Sequence, residues 1–256
     1  CSSDLNAFAS SKPLTMFDSK TLKVIKTIEV QGNPDGMYYD PWDRRVYVLS
    51  HAAPHITVIN AKDGSIIGTL DIGGMPEQAV SDGKGHLYVD VEDKENIAVI
   101  DTKKLMVTAH YDLKGKGGTC AGLAMDVKNR ILFAACRNPA NMVILKADSG
   151  EIITTLPIGA GTDGALFNPK TKEAFSSNGG DGNLTIIKEN SPTSFAVEQV
   201  LPTKAGARTS TLDTKTNRVI LIAAEFGPPT PPAQPGGRAG RGPILPDSFS
   251  ILVVGK

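Results

Sequence analysis

The sequence predicts an all-β fold, a β-propeller of four-stranded antiparallel blades, and three observations carry that prediction. First, Val99-Ile-Asp-Thr-Lys-Lys-Leu-Met-Val-Thr-Ala-His-Tyr-Asp-Leu113 recurs in altered form starting at residues 16, 58 and 144. Each copy is a short apolar strand, a polar turn and a second alternating strand. Second, the copies follow one another at 42, 41 and 45 residues, a spacing typical of radial β architectures. Third, turn residues punctuate the chain regularly and no segment shows a helical period.

Aligning the repeats on Asp40, Asp82, Asp126, Asn168 and Asp213 exposes the whole unit. A first strand precedes the Asp/Asn, as in Gly36-Met-Tyr-Tyr-Asp40 and Gly164-Ala-Leu-Phe-Asn168. A tight turn follows, such as Pro41-Trp-Asp-Arg44 or Gly83-Lys-Gly85, in which Gly and Pro are expected to supply the special φ values. The second strand is Val46-Tyr-Val-Leu49, Leu87-Tyr-Val89, Ile131-Leu-Phe133, Ala174-Phe175 or Val219-Ile-Leu-Ile222. The recurrent stretch supplies strands three and four.

The units give strands three and four at 14–30, four complete blades from about 36 to 201, and a last blade from 208 whose third strand is Phe249–Val254. Residues 1–13 read as an irregular start and 14–256 as the propeller. A Pro/Gly-rich loop at 226–247, too rich in those residues to pack, is inserted in the last blade. About five and a half blades are therefore visible. An open ring leaves sheet edges that invite self-association, so blades missing upstream are the preferred explanation.

Lys+Arg and Asp+Glu both number 27, which provides no long-range field for nucleic acid or an anionic membrane. Hydrophobic residues make up 40% of the chain, enough for a sizeable core, and no apolar run is long enough to span a bilayer. The chain begins at Cys1 and reads as a processed or truncated product. Cys1-Ser-Ser suits a mature lipoprotein, although an arbitrary boundary is the plainer reading. Cys120 and Cys136 flank a hairpin and fall opposite each other, where either a cross-strand disulfide or two buried thiols fit. A disulfide would imply an oxidising compartment.

Asp-x-Lys-Thr-Leu-Lys-Val-Ile-x-Thr-Ile (18–28), Gly-Asn-Pro-Asp-Gly (32–36), Ile-Gly-Gly-Met-Pro-Glu (72–77), Leu-Pro-Ile-Gly-Ala-Gly-Thr-Asp (156–163) and the ending Ser248–Lys256 resemble the YVTN-repeat, YncE-like β-propellers. The resemblance runs from Leu14 to Lys256. It implies a seven-bladed, exported bacterial protein, periplasmic or extracellular, and carries no shared catalytic signature.

In a propeller the first strands line the central channel. The residues five before each alignment Asp/Asn should form a ring at one mouth: Asp35, Glu77, Ala121, Asp163 and Arg208. Three acids and an arginine converging there suit a polar ligand or a cation, although turn carboxylates often only cap backbone N–H groups. Loops after the second strands should bring His51, His55, Asp90, Glu92, Arg137, Asn138, Asn178 and Glu225 to the same mouth. The expected ligand-binding set is Asp35, Glu77, Asp163, Arg208, Arg137 and Asn178. His51 and His55 read as solvent-exposed, because Pro54 and a loop context disfavour helical chelation.

No nucleophile elbow, phosphate-binding loop or Cys-x-x-Cys is present. The leading reading is therefore a non-enzymatic, extracytoplasmic binding or scaffold propeller without a cofactor, holding a protein or small-molecule ligand at its channel face. The alternative is a metal-dependent, lactonase-like hydrolase with Asp35, Glu77 and Asp163 around a divalent cation such as calcium. A haem-carrying propeller needs an axial histidine in the channel, and no histidine falls on a first strand.

Overall fold

A computed structural model describes residues 6–9, 12–229 and 242–255, and among them every sheet is antiparallel. The first sheet comprises β1 (Asn6–Ala9), β2 (Leu14–Asp18) and β3 (Val24–Ile28). The second comprises β4 (Pro34–Asp40), β5 (Arg45–Ser50), β6 (Ile56–Asn60) and β7 (Ile66–Leu70). The third holds β8 (Pro76–Ser81), β9 (His86–Val91), β10 (Asn96–Asp101) and β11 (Met106–Asp112). The fourth holds β12 (Cys120–Asp126), β13 (Ile131–Arg137), β14 (Ala140–Lys146) and β15 (Ile152–Pro157). The fifth holds β16 (Thr162–Asn168), β17 (Glu173–Asn178), β18 (Asn183–Ser191) and β19 (Ser194–Pro202). The last comprises β20 (Thr209–Asp213), β21 (Arg218–Ala223) and β22 (Ser250–Val254).

First strands of successive sheets lie against one another, β4 on β8, β8 on β12, β12 on β16 and β16 on β20, so they form the inner ring of a propeller. The apolar core lies between the sheets. One face of each sheet packs on the next, and an aromatic on the second strand recurs in the packing at Tyr47, Tyr88, Phe133 and Phe175. Burying such side chains is the main favourable term holding blade to blade, about 1.5–3 kcal/mol each.

The alignment Asp/Asn residues have a common job. Each side-chain oxygen accepts the backbone N–H two residues on, from Trp42, Lys84, Lys128, Lys170 and Lys215, at 2.8–3.0 Å. These are Asx turns, the local device by which Asp and Asn start a chain reversal. The left-handed φ in four of these turns is taken by Arg44, Arg130, Lys172 and Asn217 rather than by the expected Gly or Pro. Hydrogen bonds fix the turn from both sides, for instance Arg44 N–H to Asp40 O at 2.9 Å, and so tolerate the strained residue.

The start expected to be irregular contains β1, paired antiparallel with β2. A four-residue strand is too short to show a period in the sequence. Cys1 and the middle of the 226–247 loop lie outside the described residues. The ends of that loop form a stem: Phe226 bridges Ile244, and Gly227 N–H donates to Pro243 O at 2.8 Å. The structure bonds Cys120 to Cys136 across β12 and β13.

Among the described residues no core cluster joins the last sheet to the first. On β21 and β22, Val219, Leu221 and Ala223 are buried against the fifth sheet, with Leu252 and Val254 packed beside them. The alternate residues Ile222, Ile251 and Val253 are exposed on the other face. Period-two alternation thus leaves one apolar face of the last sheet uncovered.

Candidate functional site

The inner strands carry one irregularity in common. The pairing of first with second strand skips between Pro34 and Met37, Pro76 and Ala79, Cys120 and Gly122, and Thr162 and Ala165. These are β-bulges, which re-aim side chains away from the regular pleat. The skipped residues are Asp35-Gly36, Glu77-Gln78, Ala121 and Asp163-Gly164, so four of the five predicted ring positions are bulge residues. Asp35, Glu77, Ala121 and Asp163 line a single cavity of ≈ 360 Å³ together with Thr209 and Ser210. Arg208, the fifth ring position, lies just before β20 and sets its Nε 3.2 Å from Asp163 Oδ2.

Glycine beside the bulge lets the inner strands approach closely. A Cβ at Gly36 would stand 2.9 Å from Glu77 O, and one at Gly122 would stand 2.6 Å from Ala165 N. Gln78 occupies the equivalent place in the third sheet. Its Oε1 accepts from Leu123 N at 2.9 Å and from Ala165 N at 3.1 Å, lacing three inner strands together. It also lines a second cavity of ≈ 310 Å³ further along the same strands. Sequence reasoning passed over Gln78. The signal was its departure from the Gly found four residues before Asp40, Asp126 and Asn168.

Opposite the third-sheet bulge stands Asp90, fully buried, whose Oδ1 accepts the bulge N–H of Gln78 at 2.5 Å. Burial pushes its carboxyl up to about 8, and its Oδ2 has no hydrogen-bond partner. Glu77 is pushed up to about 8 as well, first by burial and then by the negative charge of Glu92 beside it.

His51, Glu92 and Arg137 occupy one repeat position, the residue after the last pairing of the second strand. Arg137 donates to Thr162 O at 2.9 Å through Nε, to Glu92 Oε1 at 2.7 Å through Nη1, and to Asp163 Oδ1 through Nη2. Asp163, expected beside Asp35 and Glu77 in the alternative cation set, is thus shared by Arg137 and Arg208. Its place beside the other two acids is taken by His51, with Nε2 at 3.3 Å from Asp35 Oδ2 and 3.6 Å from Glu77 Oε1. His51, expected to be solvent-exposed, has a side chain 29% exposed, and Nε2 itself has essentially no solvent contact.

Asn178 does not belong to the site. It is fully buried inside the fifth sheet, with Nδ2 donating to Asn183 Oδ1 at 2.8 Å and to Thr185 Oγ1 at 2.9 Å, and Oδ1 accepting from Ser176 Oγ at 2.7 Å. Side chains alternate along a strand, and Asn178 falls one residue before the position that faces the mouth. Of the other loop residues, His55, expected to be exposed, is 13% exposed, with Nδ1 2.6 Å from Oδ1 of the exposed Asp71 and away from the cavity lining. His86 pairs with Asp82 at 3.0 Å and His110 with Asn96 at 3.1 Å.

The inner ring of strands and the bulge-lined cavity define a β-propeller with a charged polar channel mouth. Solved structures similar to it include Kuenenia stuttgartiensis hydrazine synthase (TM-score 0.69, 16% identity, 85% of this chain and 73% of that one). A chain of the mitotic checkpoint complex is also similar (TM-score 0.71, 13% identity, 84% of this chain and 67% of that one). At such identities the likeness is one of fold alone. No family model and no curated protein matches the chain.

Proposed function

We propose that this chain is a binding propeller of the YVTN-repeat, YncE-like kind, acting outside the cytoplasm and holding a polar ligand or a protein loop at its channel mouth. One observation carries the reading: bulges at the same place in four sheets project Asp35, Glu77 and Asp163 into one cavity. A propeller scaffold has no need to spend its regular pairing on converging carboxylates, and local irregularities of this kind gather at binding sites. Arg137 and Arg208 on Asp163 supply donors beside acceptors, which suits a ligand bearing both. The Cys120–Cys136 bond supports an oxidising compartment. The uncovered face of the last sheet supports a family-like seven-bladed ring in a longer chain. The hydrolase alternative in its calcium form loses Asp163 to the two arginines.

The test is a thermal-shift screen of polar metabolites and peptides against the whole chain, repeated with Asp35→Asn and Arg208→Ala. Ligands whose affinity falls at least tenfold in either variant support the reading. Ligands indifferent to both overturn it. Export is tested by the non-reduced mass of the protein from its native source, where a two-proton deficit is expected.

A further inference from the structure

We propose that Asp35, His51 and Glu77 form a binding site for one divalent cation of the zinc type at the rim of the bulge-lined cavity. The three side chains each offer one ligand atom, and these atoms all lie within 4.8 Å of one another. A tetrahedral zinc ion with bonds of about 2.0–2.2 Å holds its ligand atoms roughly 3.3–3.6 Å apart. The His51 Nε2 spacings to Asp35 and Glu77, 3.3 and 3.6 Å, fall in that range without any movement.

His51 Nε2 is cut off from water, although 29% of the side chain is exposed, and it makes no hydrogen bond of good geometry: its nearest polar neighbours are the Asp35 and Glu77 carboxylates, and a cation held between the three would satisfy it. The loop that presents it is held firmly. His51 N–H donates to Asn33 O at 3.1 Å, and Ser50 Oγ accepts from Asn33 N at 2.6 Å while donating to Ala52 O at 2.8 Å. Asp35 is on the β4 bulge and Glu77 on the β8 bulge, so packing of the second sheet on the third sets the distance between them.

The donor chemistry selects the ion. One imidazole nitrogen and two carboxylate oxygens suit zinc or a neighbouring first-row metal, whereas calcium calls for six to eight oxygens. The Asp35 side chain is 57% exposed, which leaves a path for the ion to enter and a fourth position free for water or a ligand in the cavity. The Asp90 and Glu92 carboxyls add acid groups beside Glu77, and the nearby Arg137 is already engaged by Glu92 and Asp163. The site rests on reading this cavity as the binding face, and it names the first ligand that face would hold.

The experiment is titration of chelator-stripped whole chain with zinc chloride alone, followed by calorimetry and native mass spectrometry, with cobalt(II) as a coloured substitute. One zinc per chain at micromolar affinity or better is expected, with the visible bands of four-coordinate cobalt. His51→Ala should abolish both signals, Glu77→Gln should weaken zinc at least tenfold, and His55→Ala should leave binding unchanged. If His51→Ala fails to fold, as judged by circular dichroism, His51→Gln serves in its place. Absence of zinc binding at micromolar concentrations, or binding that survives both His51 variants, overturns the proposal. A chain that binds no zinc yet binds a ligand through Asp35 or Arg208 loses the cation site and keeps the binding face.

Discussion

The buried carboxyl of Asp90 makes the metal-free protein lose stability as pH rises between about 4 and 8. Its native value is pushed up to about 8 because the group is wholly buried, with one oxygen accepting the Gln78 N–H and the other without a partner. In the unfolded chain it titrates near 3.9. Between those values the folded state holds a proton that the unfolded state has released, so stability is fully present below the unfolded value and falls as pH climbs to the folded one. One such proton is worth about 1.4 kcal/mol per pH unit. Glu77, also raised to about 8, adds to the slope, but its side chain is 16% exposed and water screening reduces its share. Asp90→Asn keeps an oxygen for the Gln78 N–H and removes the titration. Its slope should be shallower by about 1.4 kcal/mol per pH unit, and it should be the more stable protein at pH 8. Urea unfolding followed by circular dichroism at pH 5, 6, 7 and 8, with chelator and constant salt, measures both. Wild-type stability that rises through this window, or an Asp90→Asn slope equal to the wild type's, refutes the reasoning.

Asn178→Ala leaves Thr185, Asn183 and Ser176 short of partners inside the fifth sheet and should cost about 1–3 kcal/mol in urea unfolding, with ligand affinity at the mouth unchanged. Gly122→Ala drives a methyl to within 2.6 Å of the Ala165 nitrogen, where no flexible side chain can yield, so soluble folded protein should be largely lost. Ile251→Lys, on the uncovered face of the last sheet where Ile251 is 62% exposed, should weaken self-association measured by sedimentation velocity. A sedimentation profile that Ile251→Lys leaves unaltered would mean that this face is not where copies meet.

What could be read from the sequence was what repeats. The Asp/Asn residues at 40, 82, 126, 168 and 213 do the same turn chemistry in every sheet, so aligning on them recovered the strands, and counting five back recovered the bulge residues. A period says where a side chain stands around the axis, but not which neighbour it meets. Asp35, Glu77 and Asp163 are equivalent by repeat, yet Asp163 faces two arginines and the other two face His51. That division depends on what the position after each second strand carries, which is His51, Glu92, Arg137 and then Gly179 in successive sheets. Two of these residues reach the bulge of the next sheet, His51 to Glu77 and Arg137 to Asp163, while Glu92 meets Arg137. Gly179 has no side chain with which to continue the series, so Arg208 comes to Asp163 from the far side instead. The propeller thus keeps its architecture in the repeated residues and its chemistry in the unrepeated ones. Gln78 in place of Gly and Asp90 opposite a bulge, where the second sheet has Leu49 and the fifth has Ser177, are departures of that kind. In a chain built from near-copies such departures gather at the axis, where Gln78 lines the same cavity as Asp35, Glu77 and Asp163 and Asp90 holds the Gln78 N–H behind it.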